Sequence, residues 1–144
     1  MSHSLHKIWI HAIWGTKFRA PLIQSNVEAR IHQHIHDQLS GMGCHVFAIN
    51  GMLDHVHCLF LLNAQKTIAE VMKQVKGSTA HWVNSNNITP QKLAWQTGYA
   101  AYSVSESGMK NVQRYINNQK KHHAKKTFAE EYDEFMKAYN VDPN

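Results

Sequence analysis

The sequence predicts an α+β fold on the ferredoxin-like, RRM-like plan: a β-α-β-β-α-β antiparallel sheet followed by a C-terminal helical extension. Three observations predict it. Short stretches rich in β-branched and aromatic residues read as strands at 6–14, 44–50, 55–62 and 98–104. Apolar residues at helical spacing fall between the first and second of these, and again between the third and fourth. The link between the second and third is only long enough for a hairpin, so that pair is antiparallel.

Taken in order, HKIWIHAIW (6–14) alternates loosely and forms the first strand, and GTKFRAPLIQ (15–24) is a basic loop. Ser25 is placed to cap a helix that buries Val27, Ile31, Ile35 and Leu39, and Gly41-Met42-Gly43 stops it. CHVFAIN and HVHCLFLL are the hairpin strands. Asn50-Gly51 is the stronger turn signal between them and Leu53-Asp54 the weaker, which leaves the register open. Thr67-Ile68-Ala69-Glu70 is a capping box ahead of Ile68, Val71, Met72, Val75 and Trp82 at helical spacing. Residues 84–97 are polar and irregular, and GYAAYSV is the last strand. A helix then runs from Met109 to about Lys125, with Met109, Val112 and Ile116 on one stripe. A second capping box, Thr127 to Glu130, opens a terminal helix (about 127–140) carrying Phe128, Tyr132, Phe135 and Tyr139.

The chain has 144 residues, enough for one domain (1–144) whose core needs no metal or disulfide staple. Its formal charge of +5 hides an asymmetry. Residues 1–126 hold fourteen basic and five acidic residues, whereas 127–144 hold one and five. A basic body with an acidic tail favours a polyanionic partner. Cys44 and Cys58 are the only cysteines, which excludes a disulfide framework and a thiolate zinc site. No apolar run has the length of a membrane span and no signal-peptide pattern opens the chain, so a cytoplasmic protein without a membrane partner is expected.

Histidine is over-represented, with 12 residues. At that density roughly one His-x-His pair arises by chance, so context must decide among the three that occur. His32, His34 and His36 lie on a predicted helix, where a two-residue step turns the side chains to opposite sides. His32 and His36, one turn apart, read as a solvated face. His55 and His57 lie on a predicted strand and project side by side from one face, along with Leu59 and Leu61, while Val56, Cys58, Phe60 and Leu62 line the other. Two imidazoles on an apolar strand are either hydrogen-bonded core residues or metal ligands. On the helix after the last strand, Asn111, Tyr115, Asn118, Gln119 and His122 form a second, polar stripe in a basic field. Tyr115 is either an interfacial packing residue or a phenol placed beside a phosphate.

In order and spacing, DHVHCLFLL, VMKQVKG, AWQTGYAAYSVS and VQRYINNQKKHH resemble the HUH-type single-tyrosine transposases, and GTKFRAPL resembles the family's basic loop. These are the IS-two-hundred-like insertion-sequence transposases and the repeat-associated tyrosine transposases, and the resemblance covers about residues 6 to 123. It implies a DNA transposase that cuts and rejoins single-stranded DNA at hairpin-bearing ends through a 5′-phosphotyrosine. Tyr115 would be the nucleophile. His55, His57 and Gln119, in the pattern YINNQ, would be the ligands of a divalent ion, Mg²⁺ or Mn²⁺. Lys17, Phe18, Arg19, Lys73, Lys76, Arg114, Lys120 and Lys121 are the expected DNA contacts, with Phe18 stacking on unpaired bases. A homodimer with shared active sites is also implied, with Ser105–Gly108 as a polar hinge compatible with a swapped or a self-docked helix. The competing readings are a domesticated relative processing genomic palindromes, a non-catalytic RRM-like binding module and a metal buffer. The module would need a Gly/aromatic signature that these strands lack, and a buffer would not need Tyr115.

Overall fold

The computed structural model describes residues 5–123, 127, 129–131 and 133. The chain forms β1 (Trp9–Gly15), α1 (Glu28–Gly41), β2 (His45–Met52), β3 (His55–Leu61), α2 (Ile68–Ser85), β4 (Ala100–Val104), α3 (Met109–Asn117) and α4 (Gln119–His123). The strands pair antiparallel in the order β2-β3-β1-β4. This is the α+β arrangement that the strand and helix patterns predict.

Alternation along the strands builds a core on each face of the sheet. Ile10, Ala12, Trp14, Val56, Cys58 and Phe60 point toward α1 and α2, where Ile31, Ile35, Leu39, Val71, Met72 and Val75 meet them. Trp9, Ala48, Leu59 and Val104 point the other way, against Met109 and Ile116 of α3. Each fully buried Leu, Ile, Phe or Met side chain contributes roughly 1.5–3 kcal/mol. Alternate residues of the same strands therefore hold the two helical layers on opposite faces.

Several local expectations change. Ser25 does not cap α1: the helix begins at Glu28 after Val27, whose side chain makes no capping bond. Gln24 supplies the start instead, its carbonyl accepting from Val27 and Glu28. The stop is as expected, because Gly43 takes the left-handed conformation (φ 75°) and Cys44 N–H donates back to Leu39.

The hairpin turns at Leu53-Asp54, since β2 continues through Asn50-Gly51 to Met52, paired with His55. The glycine answers a close approach, not a turn: a Cβ on Gly51 would run into the His55 carbonyl oxygen. The Thr67–Glu70 capping box forms in full. The helix expected from Met109 to about Lys125 is interrupted at Asn118 (φ −97°, ψ 16°), which separates α3 from α4. At the second capping box, the Thr127 hydroxyl accepts from Glu130 N–H at 3.2 Å. Phe128, Tyr132, Phe135 and Tyr139 lie outside the described residues.

Candidate metal and nucleophile site

β3 places His55 and His57 on the same face, both fully buried. They sit beside α3, in the layer opposite α1 and α2. Each ring is held through its Nδ1. His55 Nδ1 lies 2.8 Å from Asp54 Oδ1, so it donates to the carboxylate and turns Nε2 into the site. His57 Nδ1 lies 2.9 Å from Nε2 of His11, a fully buried residue of β1. Ile13, not His11, is the direct register partner of His57, so the two rings meet diagonally.

The inward nitrogens meet two further groups. Gln119 Oε1 is 3.3 Å from His55 Nε2, and Glu131 Oε1 is 2.9 Å from His57 Nε2 and 3.6 Å from His55 Nε2. Both side chains are buried. Among the described residues, His55, His57 and Glu131 are the group of imidazole, thiol and carboxylate side chains whose ligand atoms converge, all within 4.8 Å of one another. The donor chemistry fits a divalent ion, with two imidazole nitrogens, an amide oxygen and a carboxylate oxygen. The Gln119 side-chain NH₂ has no hydrogen-bond partner among the described residues, which leaves its oxygen as the end committed to the cluster.

Charge and tautomer follow from these contacts. Burial opposes the His55 imidazolium, but the hydrogen bonds to Asp54 and Glu131 outweigh it and raise the His55 pKa. Burial, followed by the proximity of His57, lowers the His11 pKa well below its usual value. Glu131 as a carboxylate only accepts, so a neutral His57 carries its hydrogen on Nε2 and accepts from His11 Nε2–H. A lone pair at His57 Nε2 needs the opposite tautomer, with Nδ1–H donating to His11. The pair can make that exchange without moving a heavy atom.

Tyr115 is the group above this floor. Its ring packs edge-on against His57 (centroids 5.7 Å apart) and His11 (6.3 Å). The helix that carries it is anchored on both sides. Met109 and Ile116 are buried against the sheet, and Asn50 Nδ2 donates to the Ile116 carbonyl at 2.9 Å. Lys120 bonds to Glu28 at 2.7 Å, to Asn50 Oδ1 at 3.0 Å and to the Gly51 carbonyl. At its start, Ser105 caps a 3-10 turn and Glu106 accepts from Trp9 Nε1 at 2.7 Å. The expected hinge is thus a capped, anchored turn in this chain.

The structure brings His55, His57, Gln119 and Tyr115 of one chain together. The expected DNA contacts are more dispersed. Lys17, Phe18 and Arg19 form a tight turn at the same end of the sheet, with Phe18 90% exposed and Arg19 3.8 Å from Asp54. Lys121 is exposed on α4, and Arg114 reaches Asn111 on α3. Lys120 is engaged by Glu28. Lys76 Nζ donates to the carbonyls of Gln96 and Gly98. Lys73 is exposed on α2, in the layer behind the sheet. His11, Asp54 and Glu131 were missed by the sequence reading. Asp54 adjoins the histidine pair and could have been found, whereas His11 and Glu131 carry no spacing signal.

Fold and site together define a class: a small α+β protein with a buried His-x-His and carboxylate cluster beneath a helix that presents a tyrosine. Comparison with known proteins narrows it. Residues 4–119 match the family model described as "Transposase IS200 like", and the chain belongs to that family. It is 27% identical over 121 residues to the ISDra2 transposase TnpA of Deinococcus radiodurans, covering 80% of this chain and 86% of that one. A crystal structure of a candidate transposase from D. radiodurans superposes with a TM-score of 0.66 at 27% identity, over 83% of this chain and 95% of the other. A REP-associated tyrosine transposase bound to a REP hairpin shares the fold, with a TM-score of 0.62 at 14% identity over 85% and 74%.

Proposed function

We propose that this transposase cleaves and rejoins single-stranded DNA at hairpin-bearing element ends through a 5′-phosphotyrosine on Tyr115. The observation that carries the reading is the contact of the Tyr115 ring with His57, inside a cluster able to bind a divalent ion. His55, His57 and Gln119 would hold Mg²⁺ or Mn²⁺. Bound there, the ion supplies Lewis-acid stabilisation of charge on a non-bridging phosphate oxygen. Tyr115 Oη attacks phosphorus, the P–O3′ bond breaks, and the proton lost by the phenol is balanced by the one gained on the departing 3′-hydroxyl. One phosphodiester is exchanged for a phosphotyrosine ester, so a second 3′-hydroxyl can reverse the step without an external energy source. Hairpin DNA as substrate is supported by the relative solved with a REP hairpin and by the basic body of the chain. The reading places the protein on DNA in a bacterial or archaeal cell; no described helix is long and apolar enough to cross a membrane.

The test is covalent trapping. With Mn²⁺ or Mg²⁺ and a single-stranded hairpin oligonucleotide, the parent should form an adduct that survives denaturing electrophoresis. Tyr115→Phe should abolish the adduct while binding the same oligonucleotide within about threefold, because only a hydroxyl is lost. An undiminished adduct in that variant would falsify the nucleophile assignment.

A further inference from the structure

Beside the histidine pair lies a second concavity, a cavity of about 390 Å³ lined by Ile13, Gly15, Arg19, Gln96, Thr97 and Tyr99 among others. Three observations give it a role. The first is position: Gly15 and Ile13 of its wall are the register partners of His55 and His57. Arg19 at its rim lies 3.8 Å from Asp54, whose other oxygen holds His55.

The second is that the wall is built and fixed. Gln96 N–H donates to the Gly15 carbonyl at 2.9 Å, and Lys76 clamps the carbonyls of Gln96 and Gly98. Trp95 Nε1 donates to Lys76 O at 3.0 Å, and Gly98 turns the segment in the left-handed region (φ 88°). On the opposite rim Arg19 is held at positive φ (55°), as is the adjacent Phe18 (59°), a conformation that costs a non-glycine residue free energy and persists only when the surroundings impose it. The bonds from Lys17 N–H to Ala94 O and from Thr16 Oγ1 to Ala20 O impose it here.

The third is chemistry. Ile13 and the half-exposed ring of Tyr99 offer an apolar, aromatic surface. Gln96 and Thr97 offer hydrogen-bonding side chains, and Arg19 offers a guanidinium. That combination suits a planar heterocycle with polar edges attached to a phosphate.

The geometry points to a base-binding subsite: this cavity takes one unpaired nucleobase of the substrate strand, next to the phosphate that lies at the histidine pair. The inference rests on the transposase reading above. Arg19 meets the phosphate between the seated nucleotide and the reacting one, Tyr99 stacks on the base, and Gln96 and Thr97 meet its edge. The site thereby reads one position of the cleavage sequence directly.

An abasic scan tests it. Single-stranded hairpin oligonucleotides lacking one base in turn are incubated with Mn²⁺ and with the parent, Tyr99→Ala or Thr97→Trp, the last placing an indole at the exposed rim. One abasic position should slow adduct formation by the parent about tenfold or more. Either variant should slow the intact oligonucleotide similarly and lose less than twofold further at that position. A second readout needs no cleavage: 2-aminopurine at that position should be quenched on binding to the parent and not to Tyr99→Ala. A scan flat within twofold, or abasic and variant losses that multiply in full, overturns the subsite. If the parent makes no adduct, the transposase reading fails, and 2-aminopurine placed at each position of the oligonucleotide in turn still decides the subsite.

Discussion

At the scale of single residues, the cluster assigns unequal weight to its members. His55 and His57 are strong neutral donors whose rings are each fixed by a hydrogen bond at Nδ1, whereas the Gln119 amide oxygen is the weaker donor. Replacing either histidine by alanine should remove at least about 100-fold of cleavage, and Gln119→Ala less, as measured by adduct formation at saturating Mn²⁺. His11→Ala leaves His57 Nδ1 without its 2.9 Å partner. It should weaken Mn²⁺ affinity roughly 10–100-fold by titration calorimetry, with partial recovery in His11→Gln, whose amide oxygen can accept the same bond. Chelation by EDTA should stop cleavage without lowering Tm by more than a few degrees, because the core packs without the ion. A large loss of Tm would make the site structural.

The elements carry a different consequence, set by how α4 meets α1. His32, expected on a solvated face, is tucked near Glu28 and Lys120. Burial lowers its pKa from 6.5 to about 4, with Glu28 opposing the shift and Lys120 adding to it. His34 stacks flat on Trp82 of α2, with ring centroids 4.6 Å apart. Between about pH 6.5 and 4 the unfolded chain binds a proton at His32 that the folded chain does not. Its contribution is therefore retained above 6.5 and lost progressively as the pH falls through that window. Urea unfolding at pH 5 against pH 7 should show a loss of about 1–2 kcal/mol from this group. His32→Gln should lose correspondingly less; equal losses in parent and variant would place the pH dependence elsewhere.

For the whole molecule the open matter is which chain completes each site. In this structure the helix pair is docked on its own sheet, through Asn50, Lys120 and the Trp9–Glu106 bond, and one chain supplies both histidines and Tyr115. The family resemblance implies a dimer in which the helices exchange, and cutting and rejoining two ends needs two nucleophiles in one assembly. Both arrangements use the same contacts, since a swapped helix docks on an identical surface. Mixing a His57→Ala chain with a Tyr115→Phe chain separates them. With exchanged helices, the mixed dimer regains one intact site and a sizeable fraction of parental cleavage. With self-docked helices, the mixture stays inactive.

The sequence alone determined which face of its strand each residue takes. Alternation along HVHCLFLL placed His55 and His57 on one face and Val56, Cys58 and Phe60 on the other, because strand side chains alternate whatever the sheet packs against. Spacing put Tyr115 and Gln119 near each other, although the break at Asn118 divides the single expected helix into α3 and α4, and the short link made the hairpin antiparallel. Tertiary structure decided what depends on contacts between distant segments. Of the two turns left open, the hairpin takes Leu53-Asp54: Asn50 and Gly51 stay in β2, paired with His57 and Val56, and Asn50 bonds the end of α3. His11 joined the cluster only when β1 paired with β3, 46 residues away in sequence from His57, and Glu131, 74 residues from His57, only through a contact made in the tertiary fold. No spacing rule connects such residues, because hydrogen bonds between them are made after the sheet has closed. The periodicity of a chain specifies which face a side chain takes; only the packed fold specifies what it meets there.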